Sequence, residues 1–251
     1  MDTPQQFLSN YQGILAEDTT GIAELKNATK GLNEHFEKAL ERNSGETYKI
    51  IASLIVGLDD NKDISDKEAF DTFTSYNKRT KEYLSNKDNA MFDKLTFADM
   101  AIKDFTNAFE LDKKILVRLV AIDRILNDKV YDLNDLYFQP AGRLITELDQ
   151  SHNDWGFWTT LLDRRVRNAA SHLDFYYDEK NYEFMGKETI KVTIHGHRVK
   201  RINKFSISPE QFLKETLPNA INASQSFGAA GILLCLKPHS EYYEKAMAYL
   251  D

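Results

Sequence analysis

Apolar residues recur at helical spacing along most of the first half of the chain. Ile22, Leu25, Leu32, Phe36 and Leu40 share one face of a 3.6-residue repeat. Tyr48 to Leu58 is a short, strongly apolar segment that predicts a buried helix. Ser65-Asp66-Lys67-Glu68 has the capping-box pattern, in which a serine oxygen accepts from a backbone N–H and a glutamate reaches back. The helix it opens is predicted to run to about Leu84. One helix is predicted between Ala90 and Phe109. A second follows from the amphipathic series Leu111, Ile115, Leu119, Ile122 and Leu126. Another should start near Pro140, because proline suits the first helical turn.

A longer helix is predicted next, capped by Asn153 or Asp154. Trp158, Leu161, Leu162, Val166 and Ala169 form its stripe, and it ends near His172. The period then changes. Phe175-Tyr176-Tyr177 and Tyr182-Glu183-Phe184 flank a polar turn. Ile190, Val192 and Ile194 alternate with Lys191, Thr193 and His195, which is strand periodicity. His195-Gly196-His197 is the turn candidate, and Val199 to Ile207 returns as a second strand. Ser208-Pro209-Glu210-Gln211 restarts a helix, with Ile207 and Phe212 placed for a hydrophobic staple. That helix is expected to bend at Pro218 and stop before Pro238, and a last one covers Glu241 to Leu250. The pattern predicts a mainly all-α fold: a helical bundle with a small β-hairpin, at about 174–207, inserted after the helix that ends at His172. Residues 1–88 read as an N-terminal helical part and 89–251 as a second helical domain. The boundary falls in Asp59 to Asp63 or Asn86 to Asn89.

Composition narrows the function classes. The longest apolar runs, Ile50 to Leu58 and Ala229 to Leu236, fall far short of the ~20 residues of a membrane-spanning helix. The start, Met1-Asp2-Thr3-Pro4, has no basic segment leading into an apolar one, so no signal peptide and no membrane are expected, and the cytoplasm is the expected location. The lone cysteine, Cys235, reads as a buried small hydrophobe. A net charge of -7 excludes a general nucleic-acid coat protein. The charge is uneven, however. Arg164 to Lys204 holds ten basic and five acidic residues, a net +5 that leaves -12 on the remainder. Such an island reads either as a local anion site or as solvated charge on a helix end and a hairpin.

Several motifs fail on their own geometry. Asp59, Asn61, Asp63 and Ser65 resemble early calcium-loop ligands, but Ile64 stands where the sharp turn needs glycine and Phe70 where a bidentate glutamate belongs. His195 and His197 lack the partners of a zinc site. No phosphate-binding glycine loop, dinucleotide fingerprint or serine-hydrolase elbow is present. No metal and no cofactor are expected.

One motif survives. Arg167-Asn168-Ala169-Ala170-Ser171-His172 closes the amphipathic helix. Three small residues allow close approach, and Asn168 and His172 lie one helical turn apart. Arg164 and Arg165 add charge one turn earlier, and the tyrosines of Phe175-Tyr176-Tyr177 offer rings on which bases can stack. Leu161 to His172 resembles the motif helix of HEPN (higher eukaryotes and prokaryotes nucleotide-binding) domains, in which an arginine, often followed by asparagine, precedes a histidine near the end of a long helix. The resemblance covers mainly residues 100–236, and only the motif helix is specific. It implies an all-α bundle, a homodimer that joins two motifs in a composite cleft, and in many members ribonuclease activity in toxin–antitoxin, abortive-infection or antiviral systems. An antitoxin or sensor protein is then a possible partner. One toxin branch has a tyrosine two residues after the histidine. Asp174 stands there in this chain, a departure from that branch.

The chemistry follows from the residue types. RNA cleavage without a metal uses the 2′-hydroxyl as nucleophile, so the site must remove one proton, deliver another and stabilise added negative charge. Histidine suits proton transfer near neutrality. Arginine offers a permanently charged, planar fork to phosphate oxygens. The resemblance therefore assigns catalysis to Arg167, His172 and Asn168, and RNA binding to Arg164, Arg165, Ser171, Tyr176, Tyr177, Arg198, Lys200 and Arg201. Two other readings stay open: a non-catalytic module binding RNA or nucleotide through the same surface, and a helical interaction protein in which Arg167 pairs with Asp163 and His172 only closes a helix.

Overall fold

The computed structural model describes residues 3–16, 21–57, 66–87, 92–194 and 197–251. In chain order its elements are α1 (Pro4–Ala16), α2 (Ile22–Val56), α3 (Lys67–Ser85), α4 (Lys94–Leu126), α5 (Leu133–Tyr137), α6 (Ala141–Asp149), α7 (Gly156–Thr159) and α8 (Arg164–Ser171). Strands β1 (Phe175–Asp178), β2 (Glu183–Ile194) and β3 (His197–Ile207) follow. The single turn α9 (Pro209–Gln211), a π-helical turn at Phe212–Thr216, α10 (Leu217–Leu236) and α11 (Ser240–Met247) complete the chain. The fold is mainly α with a small antiparallel sheet, as the periodicity predicts.

The fold is organised by α4. The two stretches expected as separate helices, 90–109 and 111–126, are one continuous helix, because no glycine or proline interrupts them. The Asp93 carboxylate starts it, accepting from the Thr96 N–H at 2.8 Å. Helices α2, α3, α6 and α10 pack around it. One apolar cluster takes Leu32 and Phe36 from α2, Phe105 and Leu119 from α4, and Phe227 from α10, so the buried core runs continuously across residue 88. A second cluster joins α1 and α11 to α10 through Leu8, Tyr11, Leu233 and Ala246. No helix among the described residues is long and apolar enough to cross a membrane.

Local departures have local causes. The segment from Tyr48 is the second half of α2, which kinks at Asn43, where the side chain accepts from the Glu46 N–H at 3.2 Å and restarts the helix. The half is not wholly buried: Ile50 and Leu54 face the core, while Tyr48, Ile55 and Val56 are exposed. Leu58, the calcium-like loop Asp59 to Ser65 and the turn residues His195 and Gly196 lie outside the described residues, as do parts of both proposed boundary segments. Asp66, rather than Ser65, occupies the N-cap of α3. Before Pro218, which has no N–H to close a normal helical turn, the chain widens into the π-turn. Ser208 caps α9 as expected, accepting from the Gln211 N–H at 3.1 Å. Cys235 is exposed, not buried, on the outer face of α10 between buried Leu234 and Leu236.

The expected hairpin is β2–β3, and Phe175-Tyr176-Tyr177 adds β1 to give the order β1-β2-β3. Phe175 pairs with Gly186, Phe184 with Ile207, and Ile194 with His197. Only the base of the sheet enters the core, through Phe175, Phe184 and Ile207. Gly186 is required there: a Cβ would stand 2.3 Å from the Phe205 ring that crosses it.

Polar groups fix α4 against its neighbours. Arg118 is fully buried, and its Nη1 meets the Asp66 carboxylate at 2.6 Å. Its Nη2 donates to the Ser53 carbonyl at 3.0 Å and its Nε to the Ser53 hydroxyl at 3.1 Å. Lys114 and the Tyr137 hydroxyl also donate to Asp66. This cluster ties α2, α3 and α5 to α4. Removing one member of a buried pair strands the other charge, at a cost of about 3–5 kcal/mol. Asp66→Leu, which leaves the fully buried Arg118 without a counter-charge, should therefore lower the unfolding free energy by about that amount, whereas joint replacement of Arg118 and Asp66 by leucine should recover part of the loss. Urea titration checks both, and equal losses in the single and double variants would contradict the assignment.

Asp104 generates a pH-dependent expectation. Burial raises its carboxyl to about 7. An unfolded aspartate ionises near about 3.9, so between roughly pH 4 and pH 7 the folded state retains a proton that the unfolded chain has released. Stability should fall across that window and level off above it. Asp104→Asn removes the titration, so the urea midpoint of the variant, measured against the natural protein, should be higher at pH 8 than at pH 4. A pH-independent difference would refute it.

Candidate functional site

The candidate site is built on α8, and its start differs from expectation. The apolar stripe from Trp158 to Ala169 is not one long helix. It is split into α7, a turn, and α8. Asp163 makes the break: its Oδ1 accepts from the N–H groups of Arg165 at 2.9 Å and Val166 at 3.2 Å, which opens a new helix. Trp158 anchors the preceding turn by donating from Nε1 to the Ala223 carbonyl at 3.1 Å. Val166, Ala169 and Ala170 form the buried face of α8.

The helix ends in a tight left-handed turn. His172 is its C-cap, the Leu173 N–H donates to the Ala170 carbonyl at 3.1 Å, and the Asp174 N–H donates to the Ala169 carbonyl at 2.8 Å. These two bonds are the Schellman closure, which ordinarily takes glycine at the position Leu173 holds. Leu173 has φ 59° and is 92% exposed. A large apolar side chain is thus held in the left-handed region, in solvent, directly after the candidate histidine.

Arg167 is half-buried and anchored to α4. Its Nη2 donates to Glu110 at 3.2 Å, and its guanidinium lies 5.8 Å from the centre of the Phe109 ring. Its Nε is buried with no hydrogen-bond partner among the described residues. The alternative pairing of Arg167 with Asp163 is not what the fold adopts. Asp163 pairs with Arg165 at 3.1 Å, and Arg165 also lies over the Phe205 ring at 5.5 Å. Glu110 is the site residue that the sequence did not announce, because 57 positions separate it from Arg167.

His172 is exposed, and its imidazole makes no hydrogen bond or ion pair among the described residues. Asn168 is half-buried, and its side-chain amide makes no hydrogen bond among the described residues. The Ser171 hydroxyl, on the exposed side, donates to the Asn168 carbonyl at 3.1 Å. At about 100° per residue, Asn168 and His172 differ by about 40° around the helix axis, but Arg167 and His172 by about 140°. One copy of α8 therefore brings Asn168 to the side of His172 and turns Arg167 toward α4.

The remaining expected residues separate into groups. Arg164 is exposed on α8, without an ion pair among the described residues. Arg198 and Lys200 share one face of β3, and Arg201, paired with Ile190, takes the other. Arg198 reaches a cleft that Arg164 also lines. Tyr176 is 52% exposed. Tyr177 is not equivalent to it: its ring packs on Phe184 at 5.1 Å and belongs to the edge of the core.

The strain at Leu173 is testable. A left-handed conformation costs a non-glycine residue roughly 1 kcal/mol, partly offset by the extra unfolded-state freedom of glycine. Leu173→Gly should raise the unfolding free energy by about 0.5–1 kcal/mol, read from the denaturant midpoint. A loss of stability would mean that the leucine makes a contact which this geometry lacks.

No family model, curated protein or solved structure matches the chain.

Proposed function

We propose that the protein is a HEPN-type endoribonuclease that cleaves RNA by attack of the 2′-hydroxyl, acting as a homodimer. The observation that carries this reading is the state of α8. Its buried face fixes the helix, while its outer side offers an imidazole and an asparagine amide that have no partner among the described residues, beside exposed Arg164 and half-buried Arg167. In the reaction, a histidine takes the proton of the 2′-hydroxyl as its oxygen attacks phosphorus. The bond from phosphorus to the 5′-oxygen breaks, and that oxygen receives a proton from a second histidine. The products are a 2′,3′-cyclic phosphate and a 5′-hydroxyl. Arg167 stabilises the charge that gathers on the phosphoryl oxygens. Asn168 orients His172 or donates to the phosphate.

One chain provides one such histidine, and Arg167 points well away from it around the helix. Two copies of α8 placed together supply both proton-transfer groups and bring the arginine of one copy toward the histidine of the other. The biological role that fits is a toxin, abortive-infection or antiviral nuclease of the cytoplasm, held in check by an antitoxin or a sensor. The turn of Arg167 away from His172, about 140° around α8, favours a second reading, a non-catalytic RNA- or nucleotide-binding module.

Alanine at Arg167 or at His172 should reduce cleavage of a labelled RNA at least about a hundredfold, with the circular dichroism spectrum unchanged. Substitution of Asn168 should cost less. Cleavage should persist in EDTA, and a strand with a 2′-deoxy nucleotide at the cleavage position should resist. Light scattering should find a dimer at the concentrations that cleave. Cleavage of the deoxy strand, or full activity of a monomer, would overturn the mechanism. RNA binding with no cleavage would establish the binding module instead.

A further inference from the structure

Arg198 of β3 and helix α6 border an open cleft of about 1460 Å³. Four cations line it: Lys129 from the α4–α5 connection, Arg143 from α6, Arg164 from α8 and Arg198 from β3. All four are exposed, and none makes an ion pair or a side-chain hydrogen bond among the described residues. Two carboxylates also line the cleft, and both are already engaged. Glu147 accepts from Nε and Nη2 of Arg124 at 2.7 and 3.1 Å. Asp123 accepts from Asn127, Asn153 and the Trp155 indole. The field in the cleft is therefore positive, on a chain whose net charge is -7.

Four like charges in one cleft repel one another, and a polyanion relieves that repulsion. Gly142 contributes to the arrangement. A Cβ at that position would stand 2.8 Å from Nη2 of Arg164, so the bare backbone of α6 leaves room for the guanidinium. Among the described residues, the lining contains no aromatic ring on which a base could stack. The chemistry suits phosphodiester oxygens, which charged side chains contact without reading sequence. The cleft is continuous with the candidate catalytic helix, because Arg164 and Arg167 are three residues apart on α8, about 4.5 Å along its axis.

We infer that this cleft binds the phosphate backbone of a single RNA strand and feeds it to α8, with Lys129 and Arg143 as backbone-contacting residues in addition to Arg164 and Arg198. The inference rests on the ribonuclease reading of α8 for the identity of its polyanion. It extends that reading to two residues outside the basic island, and it makes the entry path independent of base identity.

The test uses a 5′-labelled, fully 2′-O-methylated RNA strand, which lacks the nucleophile and is not consumed. Each phosphate contact to a single strand contributes about -0.7 to the slope of log affinity against log salt. The four contacts of the cleft contribute about -2.8 to the slope of the natural protein, and K129E/R143E should reduce its magnitude by about 1.4 and weaken binding at least tenfold at low salt. K94E/K103E, an equal change of charge at the opposite end of α4, should behave like the natural protein. The milder K129A/R143A, with an unchanged circular dichroism spectrum, guards against misfolding. Equal affinity and slope for K129E/R143E and the natural protein would overturn the cleft, while cleavage of unmodified RNA would still uphold the ribonuclease reading. Binding through the cleft without any cleavage by the natural protein would do the reverse. No binding of the strand by the natural protein would overturn the cleft as an RNA path.

Discussion

A helix buried along most of its length cannot leave its charged side chains to solvent, and α4 carries four of them inside the fold. Asp104, Asp112, Arg118 and Asp123 are each at most 3% exposed. A buried charge without partners costs several kcal/mol, so each must be met by a group from a neighbouring element or be neutralised. Arg118 is met by Asp66 and Ser53, Asp112 by the Ser224 hydroxyl at 2.7 Å, and Asp123 by the 151–155 segment. The two solutions are visible side by side. Arg118 stays charged within a full set of partners, while burial raises the Asp112 and Asp104 carboxyls toward the neutral form. Apolar contacts alone would let the helices slide over one another. These polar attachments fix both the rotation of α4 and the register of what surrounds it.

That constraint reaches the candidate site by two routes. The rotation of α4 decides that Phe109 and Glu110 face α8, and so decides where Arg167 lies. The attachments of Asp123 hold Asn153 and Trp155 and set the path of the chain into α7 and the turn at Asp163. Since Asp163 begins α8, the start of that helix is fixed from one side and its buried face from the other. His172, at the far end, is the part left exposed. The left-handed Leu173 then turns the chain into β1, where Phe175 enters the core. A packed helix with an exposed imidazole at its tip, free of partners among the described residues, suits proton transfer, which demands placement of the group but also room for a substrate.

Much of this was legible in the chain itself. Alternation after His172 announces β2 and β3, and Ser208-Pro209 announces a capped helix start, because both signals act within a few residues. Two equally local signals stand beside them. Thr3-Pro4-Gln5-Gln6 is a capping box: the Thr3 N–H donates to the Gln6 side chain at 2.6 Å and the Gln6 N–H to the Thr3 hydroxyl at 3.3 Å, which starts α1. Asp163 in the middle of an apolar stripe is a strong N-cap residue, and it divides the helix that hydrophobic spacing alone joins. Glu110, Lys129 and Arg143 could not be found this way. Each meets the site through the packing of α4, α6 and α8, and nothing in its own neighbourhood marks it.

The ion pair of Arg167 with Glu110 bears on what the site can bind. Both side chains reach solvent, Arg167 at 27% and Glu110 at 46%, so their attraction is screened and contributes about 0–1 kcal/mol. A pair this weak does not commit the arginine. A phosphodiester oxygen can share the guanidinium or replace the carboxylate, and the contact with the Phe109 face persists in either case. Glu110 then has two consequences for the proposed reaction. Without RNA it holds the guanidinium near its working position, which lowers the cost of ordering a long side chain on binding. It also places one negative charge beside the proposed phosphate path, opposed by Arg164 on α8 and by Arg198 across the cleft. On the proposed reading, the balance of charge around α8 would admit a polyanion only where several cations act together, which is the condition under which an acidic protein can bind RNA at one place and repel it elsewhere.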